Sequence, residues 1–173
     1  MKQQPKMIVR LPVALLASTL AFATPSVFAH GDEHMSKDKM TASISIDEQE
    51  FGREGDPQRV TRTIAVAMND TMRYTPSKIR VKQGETVKFI VTNKGKSLHE
   101  MVIGTMDELK AHGEMMKKNS GMEHDEAYMA HVKPAEKEEI VWQFTKAGDF
   151  NFGCLAPGHF EAGMIGAIHV AGK

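Results

Sequence analysis

The sequence predicts an all-β domain, a sandwich or barrel of about seven short strands, interrupted once by a partly helical segment. Three observations carry this. Apolar residues alternate with polar ones at period two in several runs, and turn-forming residues separate those runs. Between Gly104 and Pro134 the alternation gives way to a stretch rich in helix formers, methionine and histidine.

Taken in chain order, the first segment is no part of the fold. In MKQQPKMIVRLPVALLASTLAFATPSVFA, Lys2, Lys6 and Arg10 precede an apolar stretch from Leu11 to Phe22, and Val27-Phe28-Ala29 closes on a small residue. This is the pattern of a secretory signal peptide, residues 1–29. The apolar stretch is short and broken by Pro12, with Pro25 just beyond it, so no stable membrane insertion is expected after cleavage.

The full chain of 173 residues balances 22 Lys+Arg against 22 Asp+Glu; loss of the leader's three positive charges leaves 19 against 22. A mildly acidic exported protein results. It has no long Lys/Arg run and few aromatics, so the basic footprint of a nucleic-acid binder is missing.

Residues 30–59 read as a polar tail containing His and Met, with one short strand at the SISI alternation. The domain proper is expected over residues 60–173. Ile64, Val66 and Met68 alternate first, then Ile79 and Val81, then Val87, Phe89 and Val91, with turns at Tyr74-Thr75-Pro76, Gln83-Gly84-Glu85 and Asn93-Lys94-Gly95. An insertion at about 105–135 follows, holding Met106, Met115, Met116, Met122, Met129, His112, His124 and His131. Ile140, Trp142 and Phe144 resume the alternation; Phe150, Phe152 and Cys154 share one phase, and Ile165 to Val170 close the domain. Two phenylalanines in phase with Cys154 put the thiol on the core side.

Cys154 is the single cysteine, so no internal disulfide can form, and a free thiol in an oxidising compartment is exposed to oxidation unless buried or coordinated. His159 and Met164 follow it at five-residue intervals in GCLAPGHFEAGMIG. Thiolate and imidazole with a more distant thioether form the trigonal site that copper uses for one-electron transfer. A second imidazole is needed, and His99 is the best placed, sharing phase with Met101 and Ile103 after the strand that ends near Thr92. Three other readings compete. The cysteine and methionine would be ordinary core. A closed zinc site would want more thiols or imidazoles. A cysteine nucleophile would need His159 as base and an accessible thiol, against which the inward phase argues.

The segments DFNFGCLAPGHFEAGMIGAIHV and TPSKIRVKQGETVKFIVTNKGKSLHEMVIG resemble the cupredoxins, and in particular the periplasmic copper-tolerance cupredoxins of the CopI type. The resemblance spans residues 60–104 and 136–171. It implies a Greek-key β-sandwich with copper buried at one end and His99, Cys154, His159 and Met164 as the type 1 ligands. It also implies a periplasmic location. One position departs from the pattern: Glu100 stands where many electron-transfer cupredoxins have Asn. Near the metal its carboxylate would favour Cu(II) and lower the potential; facing solvent it would do neither.

Cleavage after Ala29 makes His30 the first residue, so its α-amine and imidazole, with His34 and Met35 in reach, form a candidate second copper site; a solvated tail is the competing reading. The insertion's soft sulfurs suit Cu(I), although several of its methionines would equally pack a small helix onto the sandwich. The resulting expectation is copper tolerance by binding and redox cycling of copper, with a periplasmic redox partner or copper exporter as protein partner. The alternative is a soluble one-electron carrier between respiratory redox partners. No enzymatic turnover is expected beyond electron transfer, because four protein ligands leave no open position and no His-x-His pair is present to build a trinuclear centre.

Overall fold

The computed structural model describes residues 47–118 and 125–173. The leader, the tail residues His30, His34 and Met35, the SISI alternation, and Met122 and His124 of the insertion lie outside the described residues.

The described residues form eleven strands and one α-helix: β1 Glu48–Gln49, β2 Gly52–Glu54, β3 Arg62–Asn69, β4 Arg73–Thr75, β5 Lys78–Lys82, β6 Thr86–Asn93, β7 His99–Gly104, α1 Met106–Lys118, β8 Met129–Val132, β9 Lys137–Gln143, β10 Gly148–Gly153 and β11 Ile165–Ala171. One sheet runs β1-β2-β9-β6-β3-β4 and the other β5-β11-β10-β7-β8. β3 pairs parallel with β6, and β5 with β11. The chain changes sheet between β4 and β5, β5 and β6, β6 and β7, β8 and β9, and β9 and β10, as a two-sheet sandwich requires.

The alternation read from the sequence is the alternation observed. Val87, Phe89 and Val91 of β6 face inward, as do Ile140 and Trp142 of β9 and Phe150 and Phe152 of β10, and they bury one core together with Cys154 and Met164. Each such side chain contributes about 1.5–3 kcal/mol by leaving water.

β7 breaks the alternation because all six of its residues are buried. Met101 and Ile103 enter the main core, while Val102 faces the other way into a second cluster with Leu109, Met129 and Leu155. The insertion supplies that cover. Its helix starts at a capping box: the Glu108 N–H donates to Thr105 Oγ1, and the Glu108 carboxylate accepts the Thr105 N–H at 2.8 Å. Asp107 and Glu108 in the first turn and Lys117 and Lys118 in the last complement the helix dipole.

Three features differ from the sequence reading, the first being that Tyr74 and Thr75, read as part of a turn, belong to the short strand β4 paired with β3. The insertion contains a strand, β8, which pairs antiparallel with β7 through His99↔Val132 and Glu100↔His131. Four residues are too few for a period to show. Residues within the polar tail also join the fold, where β1 and β2 extend the first sheet and Phe51 stacks on Trp142 at 5.2 Å. A lone aromatic among polar residues carries no periodic signal. No helix among the described residues is long and apolar enough to cross a membrane.

Candidate metal centre

The site lies where the start of β7 meets the loop between β10 and β11. That loop closes on itself through main-chain bonds: the Cys154 N–H donates to Met164 O at 3.1 Å, the Met164 N–H to His159 O at 3.0 Å, and the His159 N–H to Ala156 O at 3.0 Å. Gly158 and Gly163 take φ of 82° and 85°, a region that favours glycine, so the loop can turn sharply enough to bring Cys154 and His159 together.

His99, the first residue of β7, is fully buried. Its Nε2 lies 3.1 Å from Asp70 Oδ1, and its Nδ1 is a buried nitrogen with no hydrogen-bond partner among the described residues. The Cys154 thiol is 3.2 Å from His159 Nδ1 and accepts the Glu100 N–H at 3.3 Å. One ligand atom each from His99, Cys154 and His159 fall within 4.8 Å of one another, and the two imidazole rings are 5.0 Å apart. Met164, on the same loop as Cys154 and His159, is fully buried in the main core with Cys154.

Burial pushes the Cys154 thiol up to about 12, opposed by the Glu100 and Ala156 backbone N–H groups and reinforced by the Glu100 charge. Burial, then the neighbouring His99, holds His159 below its usual range. Both shifts favour the uncharged forms of the thiol and the imidazole. A buried histidine with an orphaned ring nitrogen, grouped with a thiol and a second imidazole, fits a soft, imidazole-preferring cation, whose charge would displace the thiol proton.

The sequence profile of the copper-binding proteins of the plastocyanin/azurin family matches residues 60–171. This chain belongs to that family. Copper is accordingly its metal, and the sandwich is the cupredoxin fold. A relative named copper-resistant cuproprotein CopI from Rubrivivax gelatinosus is 44% identical over 91% of this chain and 94% of its own length. One of the same name from Vibrio cholerae serotype O1 is 32% identical over 90% and 97%. In structure the cupredoxin is similar to dithionite-reduced auracyanin from Roseiflexus castenholzii, with a TM-score of 0.56, 23% identity, and coverage of 65% of this chain and 98% of that one.

Glu100 does not face solvent. It is 6% exposed; its Oε2 accepts the Leu155 N–H at 3.2 Å and its Oε1 lies 3.2 Å from His131 Nδ1. Its carbonyl accepts the Tyr74 hydroxyl at 2.6 Å. Of the insertion's remaining residues, Met129 is in the second core cluster, His131 stands on β8 beside Glu100, Met106 and Met116 are half-buried, and Met115 is exposed. Sequence reasoning missed Asp70, Tyr74 and the His131 contact. A turn aspartate, a strand tyrosine and a histidine in a Met-rich segment have no local signature of copper.

Proposed function

We propose that His99, Cys154, His159 and Met164 hold one copper ion in this cupredoxin, and that the protein is exported to the periplasm and contributes to copper tolerance. The observation that carries the ligand set is the grouping of His99, Cys154 and His159, together with the unpartnered, fully buried Nδ1 of His99. A buried imidazole nitrogen left without a partner is costly unless something binds it. Bound copper supplies one-electron chemistry between Cu(I) and Cu(II). The chain's own part is to present soft and imidazole donors from a core that excludes water and resists rearrangement.

Copper tolerance is supported by the names of the relatives and by the insertion. His112, Met115 and Met116 stand at i, i+3 and i+4 on α1 and so share one helix face, a sulfur-rich surface suited to Cu(I). His30, His34 and Met35 form a second copper site in this reading, and a redox partner or copper exporter exchanges electrons or copper with the protein. The half-exposed His159 suits the second reading, a soluble one-electron carrier between respiratory partners.

The ligand set predicts an intense thiolate-to-copper charge-transfer band that Cys154→Ser abolishes; a band that survives the substitution refutes it. Wild type and Cys154→Ser introduced into a deletion strain decide the role. Copper sensitivity rescued only by wild type supports tolerance, and normal tolerance with impaired electron flow to a terminal reductase supports the carrier.

A further inference from the structure

We propose that Asp70 is a positioning residue for the copper centre: it locks His99 in the tautomer that turns a lone pair to the metal, and its negative charge favours the oxidised ion. The inference rests on His99 being a ligand. Asp70 lies in the turn between β3 and β4, where Asn69 Oδ1 accepts the Thr71 N–H at 3.0 Å and sets the bend. Its own carboxylate collects two main-chain donors from the segment before β7 and one ring nitrogen from the first residue of β7. Oδ2 accepts the Lys96 N–H at 2.8 Å, and Oδ1 accepts the Ser97 N–H at 3.2 Å and faces His99 Nε2 at 3.1 Å. An ionised carboxylate only accepts, so Nε2 carries a proton, and in the neutral ring that leaves the lone pair on Nδ1. Nδ1 is the atom left without a partner.

The approach is close because Gly95 leaves room for it. A Cβ at that position would collide with Asp70 Oδ1 and lie 3.0 Å from His99 Nε2. A carboxylate behind a ligating imidazole fixes ring orientation and raises ligand basicity, and loss of such a partner lowers metal affinity about 10–100-fold.

The two contributions separate by substitution. Asp70→Asn has one acceptor oxygen for three donors; turned toward Ser97 and His99, it keeps the tautomer and loses the charge. Asp70→Ala loses both. In the copper-free full chain, 15N shifts of the His99 ring should show Nε2–H in wild type and Asp70→Asn, and a tautomer mixture in Asp70→Ala. In the loaded protein, Asp70→Asn should lower the preference for Cu(II) over Cu(I) about tenfold, a rise of about 59 mV, and Asp70→Ala should weaken Cu(II) binding about 10–100-fold. Circular dichroism checks that both variants fold. Wild-type tautomer and potential in both variants, with His99→Ala losing the charge-transfer band, overturn the role of Asp70 and leave the ligand set standing. A His99→Ala protein with the wild-type band overturns the ligand set itself.

Discussion

Met164 carries two assignments, core side chain and fourth copper ligand, and substitution can pull them apart. The side chain is fully buried in the main core with Cys154, Phe152 and Ile168, while the loop bonds at this residue are made by its main chain. Met164→Ala leaves a cavity and should destabilise the copper-free protein by about 2–5 kcal/mol. Met164→Leu nearly conserves volume and should cost less than about 1.5 kcal/mol. Chemical denaturation of the copper-free variants measures both. The loaded proteins then report ligation. The axial ligand of such a site tunes its potential, so a ligating thioether predicts a shifted potential and an altered charge-transfer band in both variants. A tenfold change in relative affinity is about 59 mV for one electron. If Met164→Leu keeps the wild-type spectrum and potential while Met164→Ala alone is perturbed, the effect follows packing and Met164 is no ligand.

Three further outcomes follow from the geometry. Glu100→Gln keeps an oxygen for the Leu155 N–H and removes a buried charge beside the thiol, so the potential should rise in voltammetry, whereas Glu100→Ala leaves that N–H buried and unpaired at about 1–3 kcal/mol in denaturation. The folded Cys154 thiol titrates near 12 instead of its ordinary 9.0, so between those values the unfolded chain binds fewer protons. This contribution is complete below 9.0 and is lost toward 12, at up to about 1.4 kcal/mol per pH unit; copper-free Cys154→Ala should show a shallower alkaline decline than wild type, and parallel declines count against the shift. A Cβ at Gly166 would overlap the Phe152 ring, so Gly166→Ala should cost about 1–3 kcal/mol, and less in a Phe152→Leu background; equal cost in both backgrounds contradicts the overlap.

How far the sequence reached depended on the range of the signal. Val87, Phe89 and Val91 show period two because a strand's two faces see different surroundings, and that pattern is local. β7 reads less clearly, since α1 covers its second face and Val102 is as buried as Met101. β8 and Phe51 were illegible for a different reason: each is too short to repeat. Glu100 could be singled out as a departure from the family pattern, but its side chain's direction was decided by Leu155 and His131, which lie far away in sequence.

The donor chemistry was written locally. Cys154, His159 and Met164 come from one loop, their spacing is a property of that loop, and the phase of Phe150 and Phe152 already turned the thiol inward. Tertiary structure decided what surrounds those donors. Asp70 meets His99 only because the β3–β4 turn folds against the segment before β7, and Tyr74 and His131 reach Glu100 from opposite sheets. Each of these groups is an ordinary polar residue in its own neighbourhood. Its bearing on the metal comes from a few ångströms of spatial proximity, which sequence separation does not encode.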